Sequence, residues 1–253
     1  QNENTEETFY VQDETTSSVK YILDLLGINY IDAKEEAEAQ CAFLEMEGIV
    51  EYTITDDSDT FLFGGSKVIR NFSKYSKSEA RLEICDLENL SRELGLSRER
   101  LILLALLLGC DFTEGVRGVG VVNGMEIISV FDSLGQFSEI LKEWGVLPDD
   151  INSNLDKVNK MVTSRQQEFL QKHKNYKKHW VFPENFPNER VPSYFRAPLV
   201  QKDLDRERLM NLKSFDFPKF KKFISENLKL YPDDFKALVD RFKHSLTELR
   251  KVR

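Results

Sequence analysis

Thr55-Asp56-Asp57-Ser58-Asp59-Thr60-Phe61-Leu62-Phe63-Gly64 sets three carboxylates directly against an apolar run. It follows Ile49 to Thr55, a stretch rich in β-branched residues that reads as a strand. In parallel α/β sheets, ligands gather outside the carboxyl ends of strands. In extended backbone, positions i and i+2 point to the same side. Asp57 and Asp59 are therefore expected to present two carboxylates to one point. Carboxylates packed beside a core are costly unless cations compensate them. A turn in which Asp serves as a cap is the other reading, and this stretch alone does not choose between the two.

Outward from it, the patterns alternate. Upstream, Val19, Ile22, Leu23 and Leu26 follow helical spacing and Gly27 is a stop. Ile28 to Ile31 reads as a short strand. Glu35 to Glu47 reads as a helix with Ala37, Cys41 and Leu44 on one face. Downstream, helices are expected over Asp86–Leu94 and Ser97–Leu108, ended by Gly95 and Gly109. Strands alternating with helices imply an α/β sheet of parallel β-α-β units. After Gly115 the chain is mostly helical, with Pro183, Pro187, Pro192 and Pro198 marking an irregular stretch. Helices are expected over Leu209–Lys213, Phe217–Lys229 and Pro232–Leu249. In the last, Phe235, Leu238, Val239, Phe242, Leu246 and Leu249 form an apolar face. No internal repeat is present.

The net charge of −8 argues against a polyanion partner until it is divided. Residues 1–115 carry 10 Lys/Arg and 24 Asp/Glu, net −14. Residues 116–253 carry 25 Lys/Arg and 19 Asp/Glu, net +6. An acidic half joined to a basic half suits an enzyme that concentrates carboxylates at one site and grips a polyanion elsewhere. No apolar run approaches the roughly 18 residues of a bilayer span, so no membrane partner is expected. Cys41, Cys85 and Cys110 lack metal-type spacing and are expected to be buried, reduced thiols of a cytosolic or nuclear chain. Gln1 to Ser18 is polar and Thr/Glu-rich and reads as a disordered lead-in. The chain does not begin with Met and reads as a piece of a longer protein.

Two further acidic elements bear on the first. Glu36 and Glu38 do not share a helix face, and both reach one cavity only from the very start of the helix. Glu in a first turn also suits the helix dipole without any ligand. Asp111, in Leu106-Leu107-Leu108-Gly109-Cys110-Asp111-Phe112, follows a strongly apolar helix and is either a turn residue or a third arm of the same site. Together, oxygen donors in this number suit Mg²⁺, and paired ions held by shared carboxylates activate water for phosphodiester hydrolysis. His173, His179 and His244 lie in Lys-rich or helical-face settings and read as surface or packing residues. The turn Glu114-Gly115-Val116-Arg117-Gly118-Val119-Gly120-Val121-Val122 is either a tight linker or a phosphate grip, in which backbone N–H groups and a helix start meet DNA.

Ala37-Glu38-Ala39-Gln40-Cys41-Ala42, Ile54-Thr55-Asp56-Asp57-Ser58-Asp59, Phe61 to Gly64, Leu107 to Gly115 and the glycine hairpin resemble, in order and spacing, the internal nuclease region of the XPG/flap endonuclease superfamily, from Val19 to Phe131. The wording is that of the XPG branch, the nucleotide-excision-repair nucleases. The resemblance implies a PIN-like α/β nuclease with a parallel sheet, a helix–hairpin–helix DNA clamp and a mostly helical C-terminal part. It divides the chain into a spacer end (1–18), the internal nuclease region with its hairpin (19–131) and a helical extension packed on the core (132–253). It makes Glu36, Glu38, Asp57, Asp59 and Asp111 metal-site and catalytic carboxylates for two Mg²⁺, with Mn²⁺ able to substitute, and Asp56 a neighbour. It makes Gly115, Arg117, Gly118 and Gly120 DNA-binding residues. The implied activity is structure-specific DNA incision in the nucleus at single-/double-strand junctions. Flap endonuclease, junction resolvase and non-catalytic DNA scaffold stand as alternatives. Implied partners are bubble or flap DNA, repair-complex proteins and the protein's own N-terminal nuclease region, which supplies two further Asp ligands. Without that region these residues are expected to be inactive. Two departures are Cys110-Asp111-Phe112, where the family has Ser-Asp-Tyr, and Val121-Val122, where flap endonucleases place a basic residue.

Overall fold

The computed structural model describes residues 3–72, 82–145, 162–211, 213–227 and 232–249. In space the chain divides into Ala33–Gln201 and a second unit made of Gln1–Asp32 with Lys202–Arg253. The sequence drew its boundaries at 18 and 131. In the structure, residues 132–201 share the core of the Ala33–Gln201 unit, and the first helix belongs with the C-terminal helices.

With α1 spanning Glu3–Leu26, the elements of the larger unit are α2 (Ala37–Met46), β1 (Thr53–Ile54), α3 (Asp59–Phe63), β2 (Lys67–Arg70), β3 (Glu83–Asp86), α4 (Leu87–Leu94), α5 (Arg98–Leu108), α6 (Val121–Val130), α7 (Leu134–Gly145), α8 (Ser164–Lys172) and α9 (Val191–Arg196). Local chemistry explains the boundaries. Asp86 accepts from the amides of Glu88 and Asn89 and so opens α4. Ser97 accepts from the Arg100 amide at the start of α5. Gly95 ends α4 at φ 67°, a left-handed geometry that favours glycine.

β1 pairs parallel with β2, and β2 pairs antiparallel with β3. The sheet expected to be parallel is therefore mixed, because β3 returns along β2 before α4. Register puts Thr53, Val68 and Cys85 in one row and Ile54, Ile69 and Ile84 in the next. The first row faces the core, with Thr53 and Val68 buried. In the second, Ile54 is 55% exposed and Ile84 65%. The strand expected over Ile49–Thr55 shrinks to two residues because the amides of Ile49 and Val50 turn back to the Leu44 carbonyl at the end of α2.

One carboxylate ties these elements together. Glu45 Oε1 accepts from the Ser66 amide (2.9 Å), Ser66 Oγ (2.6 Å) and the Lys67 amide (2.8 Å). Its Oε2 accepts from Thr53 Oγ1 at 3.4 Å. The buried face of α2 is Ala39, Gln40 and Ala42, where Ala37, Cys41 and Leu44 were expected. Small side chains let α2 approach closely, and Gln40 exchanges two hydrogen bonds with the Gln201 backbone. Cys41 is consequently exposed, and Cys85 and Cys110 are half-buried; all three are free thiols. The core of this unit gathers Ile102, Leu107, Ile127, Phe137, Leu170, Val191 and Phe195.

The second unit packs α1 with α10 (Arg206–Met210), α11 (Phe217–Asn227) and α12 (Pro232–Leu249). Leu25, Leu26, Phe220 and Ile224 form its core, joined by Phe235, Leu238 and Phe242. The Leu246 and Leu249 side chains, and the helix end expected at Lys229, lie outside the described residues. Two expectations fail here. Helix α1 starts at Glu3, inside the stretch expected to be disordered; extending an existing helix costs far less than nucleating one. Ile28–Ile31 forms no strand. Instead the Asn29 side-chain Nδ2 donates to the carbonyls of Arg208, Leu209 and Asn211, at 2.8, 3.2 and 2.7 Å.

Hydrogen bonds to a charged group contribute roughly 1.5–3 kcal/mol each. Glu45→Ala is therefore expected to destabilise the chain by roughly 2 kcal/mol or more, seen as a lower urea midpoint at unchanged slope.

Candidate active site

The acid residues come from three places in the Ala33–Gln201 unit. Asp57 and Asp59 lie where β1 hands over to α3. The Asp57 amide donates to Thr55 Oγ1 (3.0 Å), and the Asp59 amide donates to Asp57 Oδ1 (2.9 Å). The backbone is thus a turn and not the extended segment expected: Asp57 closes the turn, and Asp59 becomes the first residue of α3. Thr60, Phe61, Leu62 and Phe63 are all buried, which draws Asp59 towards the core. Arg98 fixes the far end of α3 by donating to the Leu62 carbonyl (2.8 Å) and the Phe195 carbonyl (2.7 Å). Nothing in the sequence singled out Arg98 beyond its place at a helix start. Asp56 is tied elsewhere. Its Oδ1 accepts from the Asn71 amide and its carbonyl from Arg70.

Glu36 is the extended residue before α2 and Glu38 lies in its first turn. That is the one placement from which the pair can reach a common cavity. Asp111 sits in a turn closed by paired hydrogen bonds between Cys110 and Thr113. The three places converge electrostatically on Asp59. Partial burial, first, and then Asp57, Asp111, Glu38 and Glu36 in that order together push its carboxyl up to about 6. Among the described residues, no three His, Cys, Asp or Glu side chains are close enough together to hold a metal ion as they stand. The donors are all carboxylates and carry uncompensated repulsion, which is the chemistry a hard divalent cation meets.

The glycine hairpin joins α5 to α6. Arg117 pairs with Val181 through two backbone hydrogen bonds, at 3.0 and 2.9 Å. Gly115 has φ 71° and Gly118 φ 91°. A side chain at Gly115 would strike the Gly109 backbone, and one at Gly118 the His179 carbonyl. Those two glycines serve the fold. Gly120, before α6, faces open space, and Arg117 is exposed. Val121 and Val122 beside them are 59% and 77% exposed. Of the histidines, His173 meets Glu126 at 3.1 Å and packs on Trp180, while His179 and His244 are exposed.

A three-stranded sheet flanked by helices, an acid set at strand and helix ends, and a glycine hairpin define a nuclease-type fold. Residues 27–111 match the family model of the XPG I-region, and the chain is similar to proteins of the XPG/flap endonuclease superfamily. The chain is 36% identical to the DNA repair protein RAD2 of Saccharomyces cerevisiae over 185 residues, 73% of this chain and 17% of RAD2. It is 39% identical to the DNA excision repair protein ERCC-5 homolog of Xenopus laevis over 188 residues, 71% of this chain and 14% of that protein. Flap endonuclease 1 of Methanosphaera stadtmanae is 37% identical over 137 residues, 54% of this chain and 42% of its own length. The chain thus spans less than half of these curated relatives. Among solved structures, the catalytic core of Rad2 in complex with DNA substrate superposes with a TM-score of 0.70 at 28% identity, covering 92% of this chain and 70% of that one. The Holliday junction-resolving enzyme GEN1, in complex with product DNA and Mg²⁺, gives 0.58 at 26% identity, covering 83% and 51%.

Raising a carboxyl's folded-state value means that the charged form is penalised by folding. For Asp59 the penalty is absent below the ordinary 3.8, grows as pH rises towards about 6, and stays in force above it. In EDTA, Asp59→Asn is therefore expected to melt higher than the parent at pH 7.5, with the gap closing by pH 4. Equal melting temperatures at pH 7.5 would contradict the convergence of charge on Asp59.

Proposed function

We propose that this chain is the internal nuclease region and C-terminal part of a structure-specific DNA endonuclease acting in nucleotide excision repair in the nucleus. The convergence of four carboxylates on a fifth, Asp59, carries the reading. Glu36, Glu38, Asp57, Asp59 and Asp111 would hold two divalent cations, Mg²⁺ by donor chemistry, with Mn²⁺ able to replace it. Bound there, the cations supply an activated water and stabilise charge on the attacked phosphate and the leaving oxygen. The carboxylates' part is to fix the ions and, through the turn at Asp57, to aim Asp59 from a rigid helix end. Arg117 and the open backbone at Gly120 would grip the phosphate backbone of the duplex without reading bases. The structures of Rad2 with DNA substrate and of GEN1 with product DNA and Mg²⁺ support this assignment by analogy.

The arrangement also asks for a partner. The donors stand too far apart to close a coordination shell unaided, and the Ile54–Ile69–Ile84 row leaves an apolar sheet face exposed. The N-terminal nuclease region of the same protein would meet both needs, contributing further carboxylates and covering the row.

The test joins this chain to that region and measures incision of bubble, flap and four-way-junction DNA with Mg²⁺. Bubble incision is expected, with loss of at least about a hundredfold for Asp59→Ala, in keeping with the several kcal/mol that metal-assisted charge stabilisation supplies. The unjoined chain should cut poorly. Preference for flaps or four-way junctions would select the related enzymes, and equal cutting by Asp59→Ala would leave a DNA-binding scaffold.

A further inference from the structure

A cavity of about 510 Å³ opens beside the acid set, lined by Glu36, Phe63, Phe112, Arg190, Tyr194 and Pro198 among others. Hydrolysis as described uses Glu36 and leaves the rest without a task. The cavity has the size of a small-ligand site, which runs to roughly 300–1,000 Å³. Its wall is an ordered aromatic stack. Phe112 lies against Tyr194 with ring centres 5.6 Å apart and planes 25° from parallel. Behind them, Phe195 meets Phe112 edge-on at 5.4 Å and Phe63 edge-on at 5.1 Å. Phe195 is fully buried, so the stack is anchored, while Tyr194 remains 52% exposed. The Arg190 guanidinium forms no ion pair among the described residues, although Glu35 and Glu36 line the same cavity.

We propose that this cavity receives a nucleobase of the substrate strand, unstacked beside the phosphate that the acid set would hold for hydrolysis. The inference rests on the nuclease reading and adds a subsite to it. Three features select a base. An aromatic face stacks on any base. Glu35 and Glu36 repel a bare phosphate yet accept from amino groups on a base edge. Arg190 offers the complementary donors to ring nitrogens and carbonyls. Position supports the same occupant: Glu36 belongs to both cavity and acid set, and Phe112 directly follows Asp111. A nucleotide whose phosphate meets the acids has its base within reach of the stack. Tyr194 is here a positioning residue, holding the strand while other groups act.

The experiment uses this chain joined to its N-terminal nuclease region, as in the incision test, with Ca²⁺ and bubble DNA carrying 2-aminopurine at successive positions across the junction. Fluorescence reports stacking of that base alone. Quenching beyond that of the free DNA is expected at one junction position. Tyr194→Ala should abolish it and weaken binding about tenfold, within the range for loss of one base–aromatic stack. Tyr194→Phe should retain it, and Arg190→Ala should reduce it. If Tyr194→Ala does not fold, the position scan on the parent chain and the Arg190→Ala arm decide. Junction DNA bound with no position quenched, or with quenching unmoved by these variants, would overturn the subsite and leave the nuclease reading intact. No binding of junction DNA at all would overturn both.

Discussion

The larger unit is organised around a repulsion. Four carboxylates from three separate segments act on a fifth, Asp59, and among the described residues no basic side chain forms a hydrogen bond or ion pair with any of the five to offset them. A flexible loop would relax such a charge distribution by swinging outward. Asp59 cannot, because it is the first residue of a helix whose next four residues are buried. Burial and the neighbouring carboxylates raise its carboxyl to about 6. Cations would convert the same geometry from a cost into a binding site, so the acid set and the stiffness beneath it are one device.

The stiffness has identifiable sources. Arg98 ties the Leu62 carbonyl at the end of α3 to the Phe195 carbonyl of α9, and Gly64 closes the helix at φ 108°. Gly65 then passes so close that a side chain there would come within 2.6 Å of Thr60 Cγ2. Thr60 Oγ1 is buried with no hydrogen-bond partner. An unsatisfied buried hydroxyl costs about 1–3 kcal/mol, and this one immediately follows Asp59. Glu45 supplies the complementary bracing from α2, binding both strands that lead into and out of the site. A carboxylate that accepts four hydrogen bonds is structural; Asp59, pushed up by four other carboxylates, is the one proposed to meet a ligand.

That contrast explains what could be read in advance. Capping chemistry is local, so Asp86, Ser97, Gly95 and Gly109 marked α4 and α5 correctly in the sequence. The acid residues were visible because carboxylates beside Phe61-Leu62-Phe63 are chemically incongruous. Long-range partners were not visible. The segment at Ile28 has strand-like residues, but three carbonyls near residue 210 capture the Asn29 side-chain amide, and nothing near Asn29 in sequence announces them. The same holds for the face of α2, decided by contact with Gln201, and for Arg98, whose value lies in two carbonyls far along the chain. Asp57 and Asp59 were paired for a mistaken reason: a hydrogen-bonded turn, not an extended strand, brings them together.

The hairpin separates two kinds of glycine that look alike in sequence. At Gly115 and Gly118 the left-handed backbone and the adjacent carbonyls or amides of the same unit leave no room for a side chain. Their identity is accounted for before any ligand is considered. Gly120 has ordinary φ and open space in front of it, so nothing in the fold requires glycine there. A ligand backbone approaching the start of α6 would require it. The exposed flank of Val121 and Val122 adds no charge, which leaves Arg117 and the amides of the helix start to attract a phosphate. In this hairpin the residue with the weakest structural justification, Gly120, is thus the one on which the proposed phosphate grip most depends.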